Sequence, residues 1–168
     1  MQKKALFFLL PPRYLAHRKI LTLEISSIPL IGILVFLWSD RMGHYPHLFS
    51  PLTVNGMTIK NRIIMPPMGT NLASLNGEVS GEQLEYYELR AKGGTGLITI
   101  ENICIDFPFA SNGTTQLRID NDQYIPGLFK LTETLHKHGA CVSIQLNHAG
   151  ASAYAYRLNG EQPLSSST

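Results

Sequence analysis

Residues 58–71 of this 168-residue chain read Thr-Ile-Lys-Asn-Arg-Ile-Ile-Met-Pro-Pro-Met-Gly-Thr-Asn. The run Ile63 to Met65 is apolar and typical of a short buried strand. Pro66 and Pro67 then end the strand, because proline cannot donate to a sheet, and Gly69 permits backbone angles that other residues avoid. The strand therefore ends in a stiff loop with free backbone groups. Since ligands of α/β proteins bind at the carboxyl ends of strands, this loop predicts one wall of a cofactor site.

The segments after this loop alternate between helix and strand. The pattern predicts a helix that begins at the capping box Ser80-Gly81-Glu82-Gln83 and stops at Gly93-Gly94, a strand over 96–105, a helix with Pro126 in its first turn and Gly139 at its end, and a strand over 141–146. Strands that alternate with helices in this way pair in parallel. The fold class is therefore α/β, with about three β/α units of a TIM (β/α)8 barrel preceded by a hydrophobic leader.

Two segments that connect the predicted elements can also be interpreted from their sequence. Asn55-Gly56 is a strong two-residue turn signal, which predicts a hairpin within 52–63 that closes the bottom of the barrel. Residues 107–122 are polar and too numerous for an ordinary connection. They predict a surface excursion on the ligand-binding side.

Four motifs occur in one order along the chain. They are Leu48-Phe49-Ser50-Pro51-Leu52, Lys60-Asn61-Arg62-Ile63, Met65-Pro66-Pro67-Met68-Gly69-Thr70 and Gln145-Leu146-Asn147-His148-Ala149-Gly150. Together they resemble the old yellow enzyme family of FMN-dependent oxidoreductases. The stretch Tyr86-Tyr87-Glu88-Leu89-Arg90-Ala91-Lys92-Gly93-Gly94 further resembles the branch of dienoyl-CoA reductase-like and bile-acid-transforming enzymes. The resemblance implies a leader over 1–46 and a partial FMN-binding TIM barrel over 47–168.

The resemblance also implies which residues contact FMN. Pro66, Pro67, Met68 and Gly69 match the loop that meets the flavin through its backbone, and a planar ring does require a rigid, closely approaching backbone. Without the flanking motifs, the same residues would be read as a simple turn that ends a strand. Gln145 matches a glutamine of the family, whose amide can both donate and accept at the pyrimidine edge of the flavin.

Two further positions match less closely. Asn102 stands where the family commonly has a small residue that contacts the flavin, and it could instead cap the end of its strand. His148 could donate to the cofactor or have a structural role. Ala151 replaces an arginine that many relatives have, so any role of that arginine is in doubt here.

The resemblance implies that NAD(P)H reduces FMN, which then reduces the C=C bond of an α,β-unsaturated carbonyl substrate, an enone or an enoyl thioester. The groups that polarise the carbonyl and protonate the product lie on later strands of the family, so no catalytic residue is expected before Thr168. A 4Fe-4S cluster or FAD would belong to a missing C-terminal part. We expect the chain by itself to aggregate and to retain FMN poorly, because its open sheet has unpaired edges.

Composition argues against several other classes of protein and of binding site. The formal net charge is +2 and no basic stripe is interleaved with aromatic residues, so we predict no nucleic-acid partner. Cys104 and Cys141 lie far apart in the sequence, and we interpret them as small strand residues of a protein in a reducing compartment. His136 and His138 have no partner at metal-ligand spacing and are predicted to face solvent, so no metal is assigned.

The leader over 1–46 can be interpreted in more than one way. The run Ile28 to Trp38 is almost continuously apolar and follows several positive residues, which is typical of a signal sequence or of a membrane anchor over 20–38. A span of that length includes Glu24 and Pro29, and it would place the barrel outside the cell, away from reduced nicotinamide. We therefore favour a translation start at Met42 and a cytoplasmic protein. The alternative functions are a membrane-tethered, non-catalytic binding or interaction protein and a different phosphate-binding barrel enzyme.

Overall fold

The computed structural model describes residues 44–166. Its helices and strands are α1 (Pro46–Phe49), β1 (Leu52–Val54), β2 (Met57–Ile59), β3 (Ile64–Met65), α2 (Gly81–Lys92), β4 (Leu97–Cys104), α3 (Ile125–His136) and β5 (Cys141–Asn147). The predictions for the leader, including the anchor over 20–38 and the start at Met42, lie outside the described residues. Within 44–166, every helix is too short or too polar to cross a membrane.

The central feature is a parallel sheet with the strand order β3-β4-β5. Ile64 of β3 lies opposite Leu97 of β4, which in turn lies opposite Cys141 of β5. Each crossover carries one helix of 12 residues. The predicted alternation of parallel strands and helices is confirmed, and the second and third strands fall within one residue of their predicted bounds.

One face of this sheet packs against both helices. The β4 side chains Ile98, Ile100 and Ile103 are fully buried. They form one cluster with residues of α2 and with the apolar face of α3, which consists of Leu128, Leu131 and Leu135. The predicted apolar face of α3 is confirmed. Burying these side chains is the main source of stability that the described residues offer.

The opposite face of the sheet is left largely open by the described residues. Ile64, which pairs with Leu97, is 49% exposed on this face. The prediction that Ile63 to Met65 forms a buried strand is therefore wrong for Ile64, although Met65 is buried. The reason is that a strand buried on both faces needs a second layer, which these residues do not supply.

The hairpin of β1 and β2 lies at the amino ends of the parallel strands. Asn55 and Gly56 have φ values of 45° and 88°, as the predicted two-residue turn requires. The thiol of Cys141, the first residue of β5, donates to the carbonyl oxygen of Thr58 at 3.5 Å. The predicted hairpin at the bottom of the sheet is confirmed.

His138 joins the two helices instead of facing solvent as predicted. Its Nε2 lies 3.1 Å from Oε1 of Glu88 on α2, and its carbonyl oxygen accepts from Nζ of Lys60 at 2.6 Å. Hydrogen bonds from His138 and Lys92 hold the pKa of Glu88 below its usual range. The sequence spacing could not show this contact, because it joins positions fifty residues apart.

At the start of α2, one of the two hydrogen bonds of the predicted capping box is present. The hydroxyl of Ser80 accepts from the backbone N–H of Gln83 at 3.0 Å, as a capping serine should. The side chain of Gln83, however, does not return to Ser80. It is fully buried and points to the sheet, where it donates to Glu101.

Residues 107–122 fold back over the carboxyl end of β4. The backbone N–H of Cys104 donates to Leu117 at 2.8 Å, and the N–H of Ile119 donates to Cys104 at 3.0 Å. Ala110, Ser111 and Leu117 are buried. The predicted surface excursion is therefore a packed cover of the strand ends, although it does lie on the expected side of the sheet.

Candidate functional site

The site is built around a β-bulge near the carboxyl end of the sheet. The pairing of β4 with β5 shifts between Ile100 and Ile103. Two residues of β4, Glu101 and Asn102, therefore lie opposite a single residue of β5, Gln145. A bulge redirects side chains that strict alternation would place on fixed faces, and bulges are common beside active sites.

Glu101 is a buried carboxyl group, 1% exposed, that reaches toward α2. Its Oε1 accepts from Nε2 of Gln83 at 2.5 Å, and its Oε2 accepts from the backbone N–H of Thr70 at 2.6 Å. Its own backbone N–H donates to the hydroxyl of Tyr87 at 2.9 Å. The bulge thus connects β4, α2 and the loop that follows β3.

Tyr87 is fully buried beside this carboxyl group. Burial raises the pKa of its hydroxyl far above the usual range, while the hydrogen bond from the backbone N–H of Glu101 lowers this pKa and the charge of Glu101 raises it. Tyr87 is therefore a neutral hydrogen-bonding partner at any physiological pH, and it serves Glu101 rather than a substrate.

The loop after β3 presents free backbone donors beside the bulge. Pro66 and Pro67 have no N–H to donate. The N–H of Thr70 is taken by Glu101. Among the described residues, no group accepts a backbone hydrogen bond from Met68 or Gly69. Two adjacent donors are therefore free for a ligand at the carboxyl end of β3.

Side-chain amides surround the exposed side of the bulge. Asn102 donates from Nδ2 to Oδ1 of Asn112 at 3.2 Å, and its carbonyl oxygen accepts from Nε2 of Gln116 at 2.9 Å. Asn147 of β5 donates to Oδ1 of Asn112 at 3.5 Å. Gly69 lies against this group, since a Cβ atom there would be 3.3 Å from Oδ1 of Asn102. A cleft of about 140 Å³ opens here between Gly69, Asn71, Glu101, Asn102, Asn112, Gly113 and Gln116.

Gln145 and His148 occupy different surroundings. Gln145 is exposed on β5, and its side-chain amide has no hydrogen-bond partner among residues 44–166. His148 follows β5 and accepts at Nδ1 from the N–H of Gly150 at 3.1 Å, which orients its ring. It lines a second cleft with Gly150, Ala151 and Leu164. The structure therefore brings Gly69, Asn102 and Gln145 to one end of the sheet and places His148 in the adjoining loop.

Sequence reasoning predicted Asn102 but missed Glu101 and the side-chain amides of Asn112 and Gln116. The signal was present, because a carboxylate and an amide interrupt the apolar run 96–105 at positions 101 and 102. A charged residue in such a run requires a buried partner, and that requirement marks the position as special. Asn112 and Gln116 gave no comparable signal, since polar residues are expected in a long connection.

Comparison with known proteins fits this geometry. The model of the NADH:flavin oxidoreductase / NADH oxidase family matches residues 47–167. The chain belongs to this family. An NADH oxidase from Thermoanaerobacter brockii is 44% identical over 126 residues, which are 75% of this chain and 19% of that protein.

Solved structures place the chain among the old yellow enzymes. The old yellow enzyme from Trypanosoma cruzi matches with a TM-score of 0.63 and 31% identity, over 70% of this chain and 31% of that one. Morphinone reductase in complex with tetrahydroNAD matches with a TM-score of 0.63 and 28% identity, over 70% of this chain and 32% of that one. The predicted part of a TIM barrel is confirmed. The chain spans between a fifth and a third of the length of these relatives.

Membership of the NADH:flavin oxidoreductase / NADH oxidase family confirms the resemblance drawn from the four motifs. The family is FMN-dependent and uses a reduced nicotinamide as its electron source. Within 44–166, no three His, Cys, Asp or Glu side chains come together in a way that could hold a metal ion.

Proposed function

We propose that residues 47–168 form one wall of the FMN site of an NAD(P)H-dependent oxidoreductase that reduces the C=C bond of an enone or enoyl thioester. The observation that carries this proposal is the pair of free backbone donors at Met68 and Gly69, beside the bulge that lies opposite Gln145. Family membership supports the cofactor and the reductant. The substrate class is inferred from the old yellow enzyme relatives.

The described residues fit a flavin. The ring of FMN carries hydrogen-bonding groups along its pyrimidine edge and is otherwise flat and uncharged, so it needs a close backbone and a few fixed polar groups. Pro66 and Pro67 stiffen the backbone, while Met68 and Gly69 offer two donors. Gln145 can donate and accept at once. Asn102 adds an amide whose Oδ1 has no hydrogen-bond partner among residues 44–166.

In this role, the residues of the chain bind and orient and do not transfer protons. FMN, when bound, supplies the capacity to accept and donate a hydride. The backbone donors of the loop after β3 and the side-chain amide of Gln145 would hold the flavin ring by hydrogen bonds. His148 lies close enough in sequence to Gln145 to border the cofactor. We place the carbonyl-polarising pair and the proton donor outside 47–168, together with any 4Fe-4S cluster or FAD.

Replacing Gln145 with Leu tests the proposed contact. The host is a grafted barrel, in which residues 47–167 replace the matching part of the Thermoanaerobacter brockii NADH oxidase. Leucine removes both hydrogen-bonding groups at similar size. Because a neutral hydrogen bond contributes about 0.5 to 1.5 kcal/mol net, the dissociation constant of FMN should rise roughly 2- to 13-fold in a flavin fluorescence titration.

The matched control is Gln123→Leu, which changes another exposed glutamine, in the turn before α3. It should leave the dissociation constant unchanged. If Gln145→Leu and Gln123→Leu bind FMN alike, Gln145 does not belong to the flavin site.

A further inference from the structure

Glu101 has no part in the function described so far, yet it is among the most completely buried polar residues of the sheet. It lies on the bulge beside Asn102, and its carboxylate is held by Gln83 of α2 and by the backbone N–H of Thr70. Burying a carboxylate is costly unless hydrogen bonds satisfy it. An apolar residue would fill the position at lower cost, so the hydrogen bonds themselves are what this residue contributes.

The bond to Thr70 orients the end of the flavin-facing loop. A peptide unit is planar and trans, so its N–H and C=O groups point in opposite directions. Because Glu101 holds the N–H of Thr70 at 2.6 Å, it also fixes the carbonyl group of Gly69 in the same peptide. The orientation of this peptide limits the positions that the free N–H groups of Met68 and Gly69 can take.

We propose that Glu101 is a positioning residue, which anchors the Thr70 amide so that the Met68 and Gly69 amides stay directed toward the flavin. This inference rests on the proposed function. Glu101 acts from the protein side of the loop and does not touch the cofactor. A carboxylate is suited to this role because it accepts from the loop and from α2 at the same time: Oε1 accepts from Gln83, and Oε2 accepts from Thr70 and, at 3.5 Å, from the hydroxyl of Tyr87.

The side chain of Gln83 makes it possible to test this role with a conservative substitution at position 101. Its Oε1 is buried and has no hydrogen-bond partner among the described residues. In the variant Glu101→Gln, the amide of Gln83 can turn over, so that this oxygen accepts from the new side-chain nitrogen at position 101. The side-chain oxygen that remains at position 101 can still accept from Thr70. The conservative variant should therefore keep the anchor, whereas Glu101→Met, which has similar length but no acceptor, should lose it.

The first test is hydrogen exchange of the unmodified 168-residue chain at low concentration, resolved at single amides. After correction for intrinsic rates, the Thr70 amide should exchange at least about 10-fold more slowly than those of Met68 and Gly69. Equal rates at these amides in a chain whose Ile98 amide, in the middle of β4, is protected would overturn the proposal without any variant having to fold.

Variants then separate positioning from general stability. Glu101→Met should speed exchange at Thr70 roughly 10- to 100-fold more than it speeds exchange at Ile98 in the middle of β4. Glu101→Gln should stay within several-fold of the unmodified chain. Gln83→Met, the control, removes the partner of Glu101 Oε1 and should change the exchange rates of Thr70 and Ile98 by the same factor. The proposal fails if Glu101→Met speeds exchange at Thr70 and at Ile98 by the same factor.

Flavin binding is measured in the grafted barrel. Glu101→Met should weaken FMN binding by about 10-fold, and Glu101→Gln should restore most of the affinity. FMN binding that is unchanged in Glu101→Met would overturn the positioning role and leave the proposed function intact. An unmodified grafted barrel that folds but holds no FMN would contradict the proposed function and, with it, this inference.

Discussion

Gly96→Ala is expected to lower the free energy of unfolding by about 3 kcal/mol. A Cβ atom at this position would lie 2.5 Å from Oδ1 of Asn61 and 2.8 Å from its backbone oxygen. The side chain of Asn61 cannot move away freely, because its Nδ2 donates to Gly94 at 2.7 Å and its Oδ1 accepts from Ile63 at 3.0 Å. The added methyl group would break this buried connection between the hairpin and β4.

Pulse proteolysis in urea measures this loss and works at low protein concentration. Gly81→Ala is the matched control, since a Cβ atom there meets nothing within 4 Å at the start of α2. It should leave stability unchanged or raise it by up to about 1 kcal/mol. Equal stabilities of the two variants would show that Asn61 and Gly96 do not meet as closely as described.

Leu131→Ala is expected to cost about 2 to 5 kcal/mol. Leu131 is fully buried on α3, within the cluster that joins both helices to β4. Truncating it removes buried apolar surface and leaves a cavity, and the sheet below cannot easily collapse to fill it.

The control on the same helix is Phe129→Ala, because Phe129 is 65% exposed. Its loss should change the free energy of unfolding by less than about 0.5 kcal/mol. Pulse proteolysis in urea compares the stabilities of Leu131→Ala and Phe129→Ala. A larger loss at Phe129 than at Leu131 would mean that α3 presents the other face to the sheet.

Much of the fold could be predicted from local signals. The glycines and prolines marked the ends of the elements, and the spacing of Leu128, Leu131 and Leu135 marked the buried face of α3. Asn55-Gly56 marked the hairpin turn. These signals work because backbone angles and side-chain periodicity are properties of short segments.

The rest depends on contacts between distant segments, which no local pattern carries. The bulge that turns Glu101 toward α2 arises from how β4 pairs with β5, because alternation along β4 would have assigned this side chain to the other face. The exposure of Ile64 depends on what covers the sheet. The contact of His138 with Glu88 depends on how the two helices pack. For the site, the motifs indicated Pro66 to Gly69 and Gln145, whereas the anchor of their loop emerged only from the structure.

The most direct test of the account is the visible spectrum of the purified grafted barrel beside that of the 168-residue chain. If residues 47–167 form one wall of an FMN site, the grafted barrel should purify with stoichiometric FMN and a bound-flavin spectrum. The 168-residue chain, whose described residues 44–166 form a parallel sheet of three strands where a barrel has eight, should hold little FMN and should not reduce an enone with NADH or NADPH. A grafted barrel that folds without flavin would contradict the account, as would a 168-residue chain that carries stoichiometric FMN and turns over an enone.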